Sequence, residues 1–193
     1  MLLALCIFSG FSSYSCSSAN SKKEEKRKEN TQLVYENEFF SIVYPSDWEY
    51  QEEINDEYEN NPSMSKGIRV TLFPKNQKTK WPLVMVQKSA MAGLYSTPEE
   101  ARDASVTLKQ FDKQYIGTVE KYMQDSLQFG PNPAAMAGFI YVTEEGDTVI
   151  HRQLIVVTND KETYYLNDSF DWNDNGTLEK EGAKILATFR IKE

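Results

Sequence analysis

Carboxylate and amide side chains cluster near the C-terminal end of the chain, in the segment DWNDNGTLEKEG that begins at Asp171. Counted from Asp171, this segment has the D-x-N-x-N-G pattern of a calcium-binding loop. In such a loop the oxygen atoms of closely spaced side chains coordinate the ion. The pattern therefore predicts a metal site whose ligands would be Asp171, Asn173, Asn175, Glu179 and Glu181.

The same segment is also typical of a polar turn before a helix. The last position of a calcium loop normally holds a glutamate that coordinates through two oxygens, but here it is Gly182, and Glu181 lies one residue too early. Gly176 accepts the positive φ angle that a tight turn requires. We favour the turn, with Thr177 as the cap of the following helix. We expect at most weak calcium binding and no other cofactor.

Histidine and cysteine, which serve most often as catalytic bases, nucleophiles and metal ligands, are scarce. His151 is the only histidine, and its place on a predicted strand is more typical of a packed or surface residue than of a base or ligand. Cys6 and Cys16 are the only cysteines, so the rest of the chain has no disulfide, CxxC motif or cysteine nucleophile. No serine has the pattern of a nucleophile elbow. We therefore expect that the protein is not an enzyme.

Aromatic and acidic side chains supply two further candidate surfaces. We expect Trp81 and Trp172 to be exposed, and they are the candidates for lining a ligand groove, whereas we expect Trp48 in the core. The acidic run at residues 49–59 would collect cations weakly. It is more typical of a solvated sheet edge that discourages aggregation.

The distribution of charge excludes one class of partner. The chain has 193 residues and a formal net charge of −8. Residues 22–29 have a net charge of +2, which leaves about −10 for residues 30–193. An acidic domain of this kind repels the phosphates of nucleic acids. We therefore expect no nucleic-acid partner.

The N-terminal residues have the pattern of an export signal. Residues 2–11 form an apolar run of the length of a secretory signal, too short to span a bilayer. Residues 13–16, with the sequence SYSC, resemble a lipoprotein box, in which a cysteine that follows small residues is lipidated. The alternative is an ordinary signal peptide cut near Ser15. We predict lipidation of Cys16.

These patterns predict three parts of the chain. Residues 1–15 are the signal peptide, residues 16–32 contain the lipidated cysteine and a flexible polar tether, and residues 33–193 form one domain. The predicted location is the bacterial cell envelope, after export. There the lipid would anchor the protein to a membrane, with the outer membrane as one candidate.

Alternating apolar residues predict a sheet that is mostly antiparallel, because short turns join consecutive strands. The predicted strands are residues 38–44, 67–73, 83–88, 122–129, 134–143, 147–158, 162–170 and 187–191. A tight turn at Gly146 joins two of them. Several strands are apolar on both faces, so we expect cover on both sides of the sheet.

Two helices are predicted beside this sheet. The first begins after Thr97, since Thr at the N-cap, Pro98 next to it and Glu100 three residues later form a capping pattern. Its expected buried stripe consists of Ala101, Ala104, Leu108, Phe111 and Tyr115. The second helix covers residues 177–186.

Several of these patterns resemble PsbP-like domains. The sequence FFSIVYPSDWE at residues 39–49 resembles the opening of that family, and ILATFRI at residues 185–191 resembles its close. The Asn-Pro-Ala entry to a strand at residues 132–134, the Gly146 hairpin and the aromatic strand end at residues 164–166 also fit. The resemblance covers about residues 35–192. It implies a domain that serves for binding or assembly, without a shared set of catalytic residues.

The expected fold class is therefore α+β, with a mostly antiparallel sheet flanked by helices in a PsbP-like α/β/α sandwich. The expected function is that of a membrane-anchored envelope lipoprotein whose non-catalytic domain binds a protein or another envelope component. One alternative is a calcium- or small-ligand-binding module that uses residues 171–181. A hydrolase without a recognisable motif is a further alternative.

Overall fold

A computed structural model describes residues 31–55, 66–75, 82–174 and 176–192. The predicted signal peptide, Cys16, nearly all of the tether, Trp81 and Asn175 lie outside these ranges. Within them, the chain forms eleven strands, two α-helices and one 3₁₀ helix. No helix of the described residues is long and apolar enough to span a membrane.

The order of elements begins with strands and places one helix in the middle and one near the end. The strands are β1 (Gln32–Glu36), β2 (Phe40–Pro45), β3 (Trp48–Asn55), β4 (Gly67–Pro74), β5 (Leu83–Lys88), β6 (Tyr115–Thr118), β7 (Gln124–Phe129), β8 (Asn132–Val142), β9 (Thr148–Val157), β10 (Thr163–Asp171) and β11 (Arg190–Ile191). The helices are α1 (Pro98–Lys109) and α2 (Thr177–Leu186), and the 3₁₀ helix is Glu120–Tyr122.

The described strands form two antiparallel sheets. The large sheet has the order β3-β4-β5-β10-β9-β8-β6, and β7 also pairs with β8. The small sheet has the order β1-β2-β11. β7, β8, β9 and β10 pair in chain order, which confirms the predicted run of hairpins.

Register in these hairpins decides which side chains share a face. Gly146, in the turn between β8 and β9, has a φ angle of 90°, which a residue with a Cβ rarely adopts. The hairpin places Tyr141 opposite Val149, and the next one places His151 opposite Ser169. Because alternate residues of a strand point the same way, these four residues lie on one face of the large sheet.

Apolar residues on the opposite face form the main core, between the large sheet and the small one. The buried cluster consists of Tyr35, Phe40, Ile42, Tyr44, Trp48, Ile68, Val70, Leu72, Val84, Val86, Ala134, Val156, Tyr164, Leu166, Ile185 and Phe189. Trp48 is therefore a core residue, as predicted. Burial of each large apolar side chain contributes about 1.5–3 kcal/mol to folding, so this cluster is the main source of stability.

The predicted α/β/α sandwich is wrong, because strands provide much of the second layer. The domain is a β-rich sandwich in which the small sheet and α2 cover one face of the large sheet, while α1 packs on β8 and β9 at the other face. The alternation at residues 38–44 indicates a strand but not its sheet. β2 pairs with β11 at the far end of the chain, and local sequence contains no signal for such a pairing.

The start of α1 confirms the capping prediction. The Thr97 hydroxyl accepts a hydrogen bond from the Glu100 backbone N–H at 3.2 Å, and Pro98 is the first helical residue. The predicted buried stripe is wrong at its C-terminal end, since Leu108 is 69% exposed and Phe111 is 82% exposed. The helix ends at Lys109, so the helical spacing does not extend to Phe111, whereas Leu108 lies in the last turn of the helix and is exposed there.

The acidic run at residues 49–59 falls partly in a strand that the sequence did not predict. β3 pairs only with β4 among the described strands and forms one edge of the large sheet. Its side chains Glu49, Glu52 and Glu53 are exposed. The described part of the run therefore lies at a solvated sheet edge, as the sequence predicted.

Candidate functional site

The structure separates the residues of the predicted calcium loop. The Asp171 carboxylate accepts a hydrogen bond from the backbone N–H of Asn173 at 2.7 Å, which forms a tight turn. Glu179 instead pairs with Arg152 at 3.1 Å and accepts a hydrogen bond from the Tyr122 hydroxyl at 2.7 Å. Glu181 is exposed on α2. Among the described residues, no group of three or more His, Cys, Asp or Glu side chains is placed to hold a metal ion.

A different residue of this segment organises the start of α2. The Asp174 carboxylate accepts hydrogen bonds from the backbone N–H groups of Gly176, Thr177 and Glu179 at 3.1–3.2 Å. The sequence predicts Thr177 as the cap of this helix, whereas in the structure the Asp174 carboxylate accepts these N–H groups. Burial raises the pKa of Asp174, but these N–H groups together outweigh that effect and hold the pKa below its ordinary value.

Replacing Asp174 by alanine is expected to lower the free energy of unfolding at pH 7 by about 1 kcal/mol, as for other lost helix caps. Because the pKa of Asp174 is lower in the folded protein, its contribution is present above the ordinary carboxyl pKa and is lost as pH falls through the folded value. Urea denaturation at pH 7 and at pH 3 measures this difference. Equal destabilisation at both pH values would contradict the charged cap.

A cleft of about 370 Å³ lies on the face of the large sheet that α1 partly covers. The C-terminal end of α1, the hairpin between β8 and β9, and the sheet itself form its walls. We name it the α1 cleft. Its lining includes Lys109, Asp112, Gln114, Tyr141, Thr143, Glu144, Glu145, Val149, His151 and Ser169.

Two polar side chains on the floor of the α1 cleft form a fixed pair. The Nδ1 atom of His151 lies 2.9 Å from the hydroxyl oxygen of Ser169, and the two residues are cross-strand neighbours. Burial, together with the positive charge of Lys109, lowers the pKa of His151 to about 4. The imidazole is therefore neutral near pH 7.

The Tyr141 hydroxyl is a buried and unsatisfied polar group in the lining of the cleft. Tyr141 is only 9% exposed, and its hydroxyl has no hydrogen-bond partner among the described residues. Burial raises the pKa of this hydroxyl, and nearby Asp112 raises it further, so it stays protonated and can donate. A buried polar group without a partner is unfavourable and is rare in folded proteins.

Lys109 places a positive charge over the same side chain. Its ammonium lies 5.4 Å from the centre of the Tyr141 ring, within the range of a cation–π contact. The side chain is half-buried, and it makes no ion pair with any described carboxylate. Burial lowers the pKa of Lys109, and Asp112 opposes part of that shift.

A second polar cluster, on the opposite face of the sheet, ties α2 to the core. The Arg152 guanidinium forms two hydrogen bonds with the Asp168 carboxylate and one with the Glu179 carboxylate, and it stacks over the rings of Tyr122 and Phe170. We name these five residues the Arg152 cluster. Burial raises the pKa of Asp168, while the guanidinium counteracts part of the rise. The polar groups of this cluster are paired with one another, which indicates a structural role.

The α1 cleft is not among the sites that the sequence predicts. Trp172 is exposed but does not line it, and Trp81 lies outside the described residues. The sequence predicts His151 as a packed or surface residue rather than as part of a site. A signal for Tyr141, His151 and Ser169 is present in the hairpin pattern, since the Gly146 turn sets the register of Tyr141 against β9 and the next hairpin pairs His151 with Ser169. No local pattern pointed to Lys109, whose position depends on how α1 packs.

The comparisons with known proteins concern the fold. No protein-family model and no curated protein matches the chain. LpqN of Mycobacterium tuberculosis, described as involved in cell envelope biogenesis, is similar in structure, with a TM-score of 0.50 and 15% identity. The match covers 84% of this chain and 90% of LpqN. This likeness supports a related fold, and membership in the PsbP-like family stays a prediction.

A protein of Bacteroides thetaiotaomicron gives a weaker match. It has a TM-score of 0.45 and 16% identity, over 80% of this chain and 45% of that chain.

Proposed function

We propose that this protein is an exported envelope lipoprotein that is anchored by lipid on Cys16 and binds an envelope component in the α1 cleft without catalysis. The observation that carries the binding role is the buried Tyr141 hydroxyl, which has no hydrogen-bond partner among the described residues, on a ring that the half-buried Lys109 ammonium overlies. Both groups become satisfied when a ligand supplies an acceptor. The cleft, at about 370 Å³, is within the range of roughly 300–1,000 Å³ that is usual for small-ligand sites.

The geometry of the His151–Ser169 pair supports a non-catalytic role. A general base acts best when its pKa is near the working pH, and the pKa of His151 is lowered to about 4. Ser169 is only 4% exposed and lies within β10, whereas an activated serine must reach a substrate. The pair is therefore better suited to form a rigid floor than to activate a nucleophile.

Two observations support the envelope location. The apolar run at residues 2–11 and the SYSC sequence before the polar tether are typical of a lipoprotein signal. LpqN, the structural neighbour that is similar over most of both chains, is described as involved in cell envelope biogenesis. An acidic domain held close to a membrane by a tether would reach other envelope components.

The proposed function is tested first by the location of the protein. Cys16→Ser is expected to move the protein from the membrane fraction to the soluble fraction, because the domain would lose its acyl chains. Ser17→Ala, next to the predicted lipidation site, is the matched control and should stay with the membrane. A Cys16→Ser protein that remains in the membrane fraction would contradict the anchor.

The same preparation tests the cleft. Native mass spectrometry of protein extracted from membranes in mild detergent is expected to show a bound small molecule. Gln114→Trp, which places a large side chain at the exposed wall of the cleft, should remove that mass. Asn159→Trp, at an exposed position that lines a different cavity, should retain it. The same adduct on both variants, or none on the unmodified protein, would contradict binding in the cleft.

A further inference from the structure

We infer that the ligand of the α1 cleft is a small zwitterion of the size of an amino acid, with its carboxylate at the inner end and its amino group at the outer end. This inference rests on the proposed function and adds the chemical class of the ligand. Three features of the cleft lead to it: the donors at its inner end, the charges at its rim and the surfaces between them.

The inner end of the cleft favours an anionic acceptor. Lys109 has a half-buried ammonium that makes no ion pair with a described carboxylate and lies 5.4 Å from the centre of the Tyr141 ring. The Tyr141 hydroxyl has no acceptor among the described residues. A carboxylate placed between them would pair with the ammonium and accept from the hydroxyl. Hydrogen bonds that involve charged groups are stronger than neutral ones, especially where water is displaced.

The rim of the cleft has the opposite charge. Asp112, Glu144 and Glu145 are exposed lining residues. The C-terminal end of α1, which carries a partial negative charge, also faces this region. A simple anion would be repelled at this entrance, whereas an ammonium group would be attracted. A ligand that satisfies both ends therefore carries a negative and a positive group.

The middle of the cleft suits a short apolar body. Val149, the Tyr141 ring and the neutral His151 ring provide its surfaces. The volume of about 370 Å³ is at the low end of the range of about 300–1,000 Å³ for ligand sites. It therefore favours a molecule with one side chain over a lipid or a long peptide.

Calorimetric titration of the full chain with three related compounds tests the inference. The probes are L-phenylalanine, phenethylamine, which lacks the carboxylate, and 3-phenylpropionate, which lacks the amino group. We expect phenylalanine to bind about tenfold more tightly than either of the others, since each lost charge removes one charge-assisted contact. Equal affinity for all three, or no binding of phenylalanine, would overturn the zwitterion.

Variants assign the two ends of the ligand. Lys109→Met keeps the apolar stem of the side chain and should weaken phenylalanine binding about tenfold while leaving phenethylamine unchanged. Tyr141→Phe should weaken phenylalanine binding a few-fold without lowering thermal stability, because the lost hydroxyl has no partner among the described residues. Lys113→Met, an exposed lysine outside the cleft, is the control and should have no effect.

The outcomes separate this inference from the proposed function. A small molecule that is lost from Gln114→Trp in native mass spectrometry, together with no preference for phenylalanine, would reject the zwitterion and keep the binding cleft. Unchanged phenylalanine affinity in Lys109→Met would likewise reject the inner carboxylate site. Binding of phenylalanine that depends on Lys109 would support both the zwitterionic ligand and the binding role of the α1 cleft.

Discussion

Arg152→Met is expected to lower the free energy of unfolding by about 3–5 kcal/mol, the usual cost of removing one partner from a buried ion pair. The Asp168 side chain is only 2% exposed, and the Arg152 guanidinium pairs with its carboxylate and donates hydrogen bonds to it. Without the guanidinium, a carboxylate would be buried with no opposite charge beside it. Methionine keeps the apolar contact with the rings of Tyr122 and Phe170, so the decrease in the free energy of unfolding reflects the loss of the positive charge.

Urea denaturation of three proteins measures this effect. Arg69→Met is the matched control, because Arg69 forms an ion pair with Glu53 in which both side chains are largely exposed. Such pairs contribute about 0–1 kcal/mol. The double variant Arg152→Met with Asp168→Asn should recover part of the loss, since it removes the unpaired charge. Equal effects of Arg152→Met and Arg69→Met would show that the Arg152 cluster does not stabilise the fold.

The Arg152 cluster also shows how far the sequence can predict this fold. Arg152 and Asp168 face each other across β9 and β10, and the hairpin between these strands is evident in the sequence. Their proximity therefore follows from local pattern and strand register. Glu179 does not follow in the same way. The sequence suggested it as a calcium ligand, and only the packing of α2 turns its side chain toward Arg152.

The two sheets also differ in how far the sequence predicts their strand pairing. The central hairpins could be predicted because each is set by a short turn, as at Gly146. The small sheet could not, because β11 reaches β2 from the opposite end of the chain. The α1 cleft combines both cases. Tyr141, His151 and Ser169 share a face through hairpin register, whereas Lys109 joins them only through the docking of α1 on β8 and β9.

The second large effect is expected at Gly182, within α2. Helix propensity alone predicts that Gly182→Ala would stabilise the protein by about 1 kcal/mol. The packing predicts the opposite sign. A Cβ atom at this position would lie 2.8 Å from the carboxylate oxygen Oδ2 of Asp168 and 2.9 Å from its Cβ. The Asp168 side chain cannot turn aside without losing its bonds to Arg152, so the helix itself would have to move.

Overpacking of this kind usually costs about 1–3 kcal/mol, which exceeds the gain in helix propensity over most of that range. We therefore expect Gly182→Ala to lower the free energy of unfolding. Ala183→Gly, at the next position of the same helix, is exposed and measures the effect of helix propensity without the contact to Asp168. It should lower the free energy of unfolding by about 1 kcal/mol.

In urea denaturation, a Gly182→Ala protein that is more stable than the unmodified one would show that α2 can shift away from β10 at little cost. That shift would lengthen the contact between Glu179 and Arg152. The double variant Gly182→Ala with Arg152→Met distinguishes a clash with Asp168 from a shift of α2. Without Arg152 the Asp168 side chain is free to turn away, so a clash should cost less in the double variant than in Gly182→Ala alone.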